Sequence, residues 1–458
     1  MNIVIAGASG YIGRSIIQRL LARFPQAQVT ALSRSPAESL DSRVQAKACE
    51  LFSLISIEKA LPPKIDLAFY LVHSMGPTAQ LDQGCFADYD LILADNFARA
   101  LGGKGVRHLI YLGGLIPEKS KLSLHLQSRL EVEQTFLQYA LPLTVFRAGL
   151  VLGMHGSSSQ ILLKLVSRLP VMLCPQWTQT KTTPVDLETV LCSLSDASLN
   201  ESHIGKVYDL AGCRPISYVN MMRQTAQHLG LKRSFISVPF FTPTLSRLWV
   251  SLITNTSKAL VYPLVESLEH EMIPRPDHLY SSHWKGLSYD EMIAKLALKN
   301  ESGHTFFSFR PRRKTVRSVQ RMPLPKGKNA EWVQKFYAAW LPQKLSPLIH
   351  VLVNQERIFF YLGRTRITLL ELFLSRERSN EDRQVLYIVG GLLVSKFNTG
   401  RIEFRVVLNR QHVLVALHDF RPALPWFIYK YTQALVHLYV MSAFSRALAV
   451  EESPIGSN

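Results

Sequence analysis

Met1-Asn-Ile-Val-Ile-Ala-Gly7-Ala-Ser-Gly10-Tyr-Ile-Gly13-Arg-Ser-Ile-Ile-Gln-Arg-Leu-Leu21 is the stretch whose reading decides the fold. Asn2 to Ala6 has the continuous apolar character of a short buried strand. Ile12, Ile16, Ile17, Leu20 and Leu21 recur at helical spacing from the point where the glycines end. Strand, glycine turn and helix in that order is the context a dinucleotide site requires. Gly7 permits a tight turn, Gly10 lets main chain approach a pyrophosphate, and Gly13 lets helix and strand pack closely. The pyrophosphate then rests on unpaired N–H groups at the positive end of the helix. Ser9, Tyr11 and Ile12 lie in the same turn and join the glycines as candidate contacts.

Working outward, Gln28 to Ser35 reads as a second strand and its exit loop. An acidic residue about 20 positions past the glycines would grip the ribose 2′-hydroxyl of NAD. Ser33-Arg34 stands there instead, and a hydroxyl with an arginine suits a 2′-phosphate, so NADP(H) is expected over NAD(H). Asp66-Leu-Ala-Phe-Tyr-Leu-Val72-His73-Ser74-Met75-Gly76 is a strongly apolar strand that ends in polar residues. Ligands of doubly wound sheets lie outside the carboxyl ends of the strands, which points Val72, His73 and Ser74 at the cofactor. Asp90 to Ala100 is helical, and His108 to Leu115 is a further strand whose exit carries Gly113 and Gly114.

The G-x-x-G-x-x-G spacing, with Y-L-V-H-S-M-G, I-Y-L-G-G-L and F-R-A-G-L-V-L-G further on, resembles the YbjT-type atypical short-chain dehydrogenase/reductases, related to the NmrA-like group. The resemblance implies an α/β fold: a Rossmann doubly wound parallel sheet over residues 1–305, with a substrate lobe over about 154–300. It also implies roles for single residues. Glu50-Leu51 stand where that superfamily often has Asp and an apolar residue beside the adenine. Asn96 matches an asparagine on the following helix, and Arg147 opens an R-P-G-like segment. Active members carry a Ser after the fifth strand and a Tyr-x-x-x-Lys, whose four-residue spacing sets both side chains on one helix face. Here the Ser positions read Gly113-Gly114, while His125 stands in place of Tyr and Arg129 in place of Lys. An imidazole titrates near neutrality and could exchange a proton with a carbonyl oxygen. Arg129 stays charged and could hold ribose hydroxyls or phosphate. The loss of Ser and Tyr together leaves a second reading open, a helix that binds cofactor without chemistry.

Length, charge and cysteine usage frame these readings. A chain of 458 residues is too long for one ordinary core. Cys49, Cys85, Cys174, Cys192 and Cys213 show no C-x-x-C spacing, which fits reduced thiols and a cytoplasmic setting. The N-terminus has no basic run before its apolar stretch, so a secretory leader is not expected. No charge-free apolar run of spanning length occurs; Leu424 to Val450 contains Lys430, His437 and Arg446. The formal net charge is +18, and from Phe306 onward there are 23 Lys+Arg against 10 Asp+Glu. The densest run, Arg310-Pro-Arg-Arg-Lys-Thr-Val-Arg317 continuing to Lys328, reads as a basic linker over 306–328 that could also touch an anionic membrane on its inner face. Basic character without a reading motif does not make a nucleic-acid binder. The 14 histidines show no metal-ligand spacing.

Residues 329–458 change pattern. Glu331 to Trp340 reads as helix, Ile358–Leu374, Gln384–Lys396, Arg401–Asn409 and Gln411–Phe420 as strands, and Leu424 to about Val450 as one long helix. This order resembles the α+β START-like, helix-grip fold, which implies an apolar cavity that Trp426, Phe427, Tyr429, Tyr431, Tyr439 and Phe444 could line. The expected function is an NADPH-dependent oxidoreductase acting on a hydrophobic carbonyl compound. The alternative is a non-catalytic NADPH-binding sensor or scaffold whose C-terminal domain takes an apolar ligand or partner.

Overall fold

The computed structural model describes residues 1–36, 41–74, 79–118, 121–198, 200–238, 243–255, 258–281, 286–298, 313–396 and 399–452. Met75, Gly76 and residues 306–312, which figure in the sequence expectations, lie outside that set. The chain divides into two units: Met1–Gly76 with Asp90–Phe309, and Pro77–Tyr89 with Arg310–Asn458. A contiguous division near residue 305 therefore misses one excursion of the chain.

The strands up to residue 148 are β1 (Asn2–Ala6), β2 (Gln28–Ser33), β3 (Val44–Ala48), β4 (Leu67–Tyr70), β5 (Ala79–Gln83), β6 (Leu109–Gly114) and β7 (Leu143–Ala148). The first unit holds a parallel sheet in the order Val207–Leu210, β7, β6, β4, β1, β2, β3, with β5 outside it. The order reverses at β1, and a crevice opens there at the carboxyl ends. Helices cover both faces, so β1 is apolar at successive positions instead of alternating. Ile3 and Ile5 pack with Ile16 and Leu20 of α1 (Tyr11–Arg23). Val4 and Ala6 face the opposite layer, made by Leu54 and Ile57 of α2 (Leu54–Ala60), Phe97 and Leu101 of α3 (Phe86–Gly102), and Val132 and Phe136 of α4 (Leu124–Gln138). A lobe with its own core follows, built from helices Ser157–Arg168, Tyr218–His228, Pro243–Thr254, Lys258–Ser267 and Tyr289–Leu298.

The second unit is an eight-stranded sheet in the order Ile349–Asn354, Arg357–Leu362, Thr368–Leu374, Arg383–Gly390, Arg401–Val407, His412–Phe420, Arg313–Pro323, β5. Neighbours are antiparallel except the last pair, in which β5 runs parallel to Arg313–Pro323. The expected basic linker is thus in large part a strand. Val316 and Met322 enter the core, while Arg317 faces Asp419 (3.7 Å) and Arg321 bonds Asp88 (2.7 Å). Helix Ala330–Leu345 starts at Asn329, whose side chain accepts from Trp332 N (2.9 Å), and packs on one sheet face. The long terminal helix is broken into Trp426–Tyr431 and Gln433–Glu452.

Its aromatics divide between core and surface. Tyr429 and Phe444 are buried core residues, and Phe427, Tyr431 and Tyr439 are exposed. A cleft of about 870 Å³ in this unit has instead a mixed wall of Glu331, Gln334, Lys335, Val353, Ile358 and Gln384. Among the described residues, one helical stretch, Trp426–Glu451, is apolar and long enough to cross a membrane, with a mean hydropathy of 1.2.

Candidate functional site

Gly7 takes φ +88°, a backbone conformation that strongly favours glycine, and a Cβ there would lie 2.7 Å from Leu71 O. Gly10 bonds back through its N–H to Gly7 O (3.0 Å) and starts α1 with no side-chain cap and no acid in the first turn. A Cβ on Gly13 would meet Gly7 O at 2.3 Å, so the helix rests directly on the turn. Ser9 and Gly10 are exposed, while Tyr11 and Ile12 are half-buried. Burial raises the Tyr11 hydroxyl above its ordinary pKa, against the pull of the His155 and Met154 backbone groups that bond it.

The neighbouring strand ends converge on this turn. Ala8 N donates to Leu32 O (3.3 Å), which holds Ser33 and the exposed Arg34 beside it. Glu50 N donates to Ser56 Oγ (3.0 Å), and Leu51 O accepts from the Asn96 amide (2.8 Å), so Asn96 fixes the loop after β3. Gly113 and Gly114 close β6.

Arg147 departs from its expected place on the cofactor. Its guanidinium is buried, forms a two-pronged bond to Glu133 (2.8 and 3.1 Å) and stands 4.0 Å from Asp209. Arg129 also differs from a ribose-holding residue. It is buried and donates to Val72 O (3.2 Å) and Leu112 O (2.8 Å), tying the ends of β4 and β6 together, with its guanidinium over the Tyr111 ring.

Beyond β4 the structure assembles a polar network that no spacing in the sequence announces. Asp90, fully buried on α3, accepts from His73 Nδ1 (2.7 Å), from Ser74 N (2.6 Å) and from Ser128 Oγ (3.1 Å), with Arg129 at 3.9 Å. Burial would raise this carboxyl, but His73, Arg129 and the Ser74 N–H outweigh it and hold the group below its usual range. His73 Nε2 faces His125 Nε2 at 3.1 Å, and the two rings are tilted by 36°. His125 Nδ1 is 3.0 Å from Ser267 Oγ, which is also 3.0 Å from Ser123 Oγ and 3.0 Å from Pro263 O. Burial first, then the nearby His73 and Arg129, push the His125 imidazole down to about 3.

His125 and Ser267 form part of the wall of an apolar pocket of about 180 Å³, with Gly114, Leu162, Trp177 and Met222 among its other residues. Sequence reasoning placed His125 in a catalytic position and His73 at a strand end. It gave Asp90 only as a helix start and did not reach Ser267, for which no local signal exists.

A parallel sheet with this order, and a glycine turn opening its first helix, define a Rossmann-like α/β fold with an additional C-terminal sheet and helix region. A nucleoside-diphosphate-sugar epimerase from Staphylococcus aureus superposes on 64% of this chain and 100% of its own length, at 13% identity and a TM-score of 0.52. The triphenylmethane reductase of a Citrobacter species, solved in complex with NADP(H), covers 64% of this chain and 99% of its own, at 16% identity and a TM-score of 0.50. At such identities the likeness is one of fold. In sequence, the auxiliary protein GraX of Staphylococcus aureus is 27% identical over 131 residues, 28% of this chain; the chain spans only 42% of GraX. No family model matches.

Proposed function

We propose that the first unit is an NADPH-dependent oxidoreductase acting on a small hydrophobic carbonyl compound. The observation that carries this reading is the apolar pocket beside the end of β6, whose wall holds His125 and Ser267. The residues of the turn fit a dinucleotide. The first helix is uncapped, no side chain crowds Gly10, and the positions a Cβ would block are glycines. Gly7, Ser9, Gly10, Tyr11, Ile12 and Gly13 would hold the pyrophosphate. Ser33 and Arg34 would take the 2′-phosphate, Glu50 and Leu51 the adenine side, and Val72, His73, Ser74 and Gly113 the nicotinamide end. Bound there, NADPH would supply a hydride. His125 takes part in proton exchange, and Arg129 positions it by clamping the strand ends. A purified sample given NADPH and a panel of apolar ketones and quinones should consume NADPH, and His125→Ala should abolish the consumption.

A non-catalytic NADPH sensor is the competing reading, favoured by one observation: the guanidinium in the usual lysine position is already committed to two main-chain carbonyls. Tight NADPH binding without turnover across the panel would decide for it.

For the second unit, the order of strand, helix, six-strand meander and long helix supports a START-like assignment, with an apolar ligand as its class of cargo. Phe427, Tyr431, Leu435 and Tyr439 of the terminal helices are exposed. Between Asp419 and Glu451 the chain has Arg421, Lys430 and Arg446 and no acid. That combination suits peripheral attachment to an anionic bilayer, on the inner face of a membrane in a cytoplasmic protein. Flotation with phosphatidylserine vesicles, reversed by salt, is the expected result.

A further inference from the structure

We propose that the Ser267 hydroxyl is the group that exchanges a proton with a substrate in the apolar pocket, and that His125, His73 and Asp90 form a proton wire behind it. The four side chains come from four separate segments: the end of helix Lys258–Ser267, α4, the exit of β4 and the body of α3. They form an unbroken series of contacts of 3.0, 3.1 and 2.7 Å. Ser267 is buried and its wall position opens on the pocket, while the His73 side chain at the other end is 23% exposed. The Ser267 end therefore meets substrate, and His73, with both ring nitrogens engaged, holds the proton at the other end.

The geometry restricts where hydrogens sit. Asp90 is acceptor-only, so His73 presents Nδ1–H to it and keeps the tautomer that leaves Nε2 for His125. Two nitrogens 3.1 Å apart need one hydrogen between them. With no extra proton on the pair, that hydrogen belongs to His125. Its Nδ1 is then bare and accepts from the Ser267 hydroxyl, so every donor points inward toward Asp90.

Adding one proton to His73 reverses the series. His73 Nε2–H donates to His125 Nε2, His125 Nδ1–H donates to Ser267 Oγ, and the serine hydrogen turns outward toward Pro263 O or the pocket. Burial and the flanking charges keep His125 itself neutral, so it relays and does not store the proton. Among the described residues, Asp90, His125 and Arg129 face His73's set, Arg129 standing 3.9 Å from Asp90.

In a carbonyl reduction the balance closes. A hydride equivalent reaches the carbonyl carbon and the C=O π bond breaks. The oxygen takes the Ser267 proton, and Ser267 recovers one from His125 Nδ1. His125 Nε2 takes the His73 Nε2 proton, leaving the uncharged, inward-pointing arrangement. After product leaves, water in the pocket gives Ser267 Oγ a proton as the serine passes its own to His125 Nδ1, and His125 Nε2–H moves to His73 Nε2, which restores the loaded arrangement. Only the hydride rests on the proposed reductase reading; the wire stands on the apoprotein's own contacts.

The test uses full-length protein labelled with nitrogen-15 on histidine. Ring-nitrogen resonances should show the hydrogen of His125 moving between Nε2 and Nδ1 as the pH is lowered, with His125 never doubly protonated near neutrality. Ser267→Ala should erase the response at His125 Nδ1. It should also slow NADPH-dependent reduction of benzil about 100-fold or more, leaving NADPH affinity unchanged. Ser267→Thr, which keeps the hydroxyl, should restore part of the rate, and His73→Gln should abolish the exchange. A His125 that titrates as an ordinary isolated imidazole would overturn the wire, as would a wild-type rate in Ser267→Ala. Absence of NADPH binding with the exchange intact would overturn the reductase reading and uphold the wire.

Discussion

Gly13→Ala and Gly10→Ala make a pair that separates two roles within one turn. A methyl at position 13 would lie 2.3 Å from Gly7 O and 2.9 Å from Ala8 Cα. Both obstacles are main chain, so no rotamer change relieves them; either the helix lifts or the turn opens by roughly an ångström. Forcing a methyl into packed surroundings costs about 1–3 kcal/mol. Because Gly7 already holds a left-handed φ and abuts Leu71, the upper end applies. About 3 kcal/mol lowers Tm by roughly 5 °C in a unit of this size.

At position 10, among the described residues, the one close neighbour is Gly7 O at 3.1 Å, which a shift of a few tenths of an ångström accommodates. Gly10→Ala should therefore keep its Tm within about 2 °C, because a near-neutral substitution moves stability by no more than ~0.5 kcal/mol. It should nonetheless lose most of its NADPH affinity, since the methyl covers the N–H groups a pyrophosphate would need. Differential scanning calorimetry and titration calorimetry read the two quantities separately. A Gly13→Ala protein as stable as wild type would refute the packing argument. A Gly10→Ala protein with full affinity would refute the phosphate approach.

Arg34→Ala should weaken NADPH far more than NADH in the same titration, and equal weakening would remove the 2′-phosphate assignment. Asp90 is held below its ordinary carboxyl range, so its contribution to stability is complete above the unfolded value of about 3.9 and fades as pH falls through the folded one. Asp90→Asn should flatten that acid limb and lower Tm near neutrality, because Arg129 and His73 lose their counter-charge; an unchanged pH–Tm curve would contradict it. In the second unit, Glu403 lies buried among Arg383 (2.9 Å), Arg401 (2.9 Å) and Arg405 (2.7 Å). Glu403→Ala leaves three cations facing one another and should cost about 3–5 kcal/mol in urea unfolding. Phe427→Ser with Tyr431→Ser should abolish flotation with anionic vesicles while Tm stays put, as both side chains are exposed.

The nucleotide half of the fold was legible because its signals are local. A glycine turn and an apolar run need only about twenty consecutive residues to be recognised. The Arg313–Pro323 strand was not legible, because its arginines look solvated until Asp88 and Asp419 are brought to them from far along the chain. β5 is short and polar, and its partner lies more than 200 residues away. Arg147 carried the right neighbours for a cofactor contact, yet Glu133, one helix away, claims it. His125 was found through its spacing, whereas Ser267 meets it only through the packing of the substrate-side lobe. Residues that act across segments leave no periodicity to read.

The excursion of Pro77–Tyr89 has a consequence for how this protein is made and cut. His73 and Asp90, bonded to each other, clasp the two ends of a loop whose middle is stitched into a sheet completed only when residues 313–323 and 412–420 have emerged from the ribosome. Until then a nascent chain carries β5 without the strand it pairs with. A truncation near residue 310, the natural choice for isolating the first unit, would make that temporary orphan permanent.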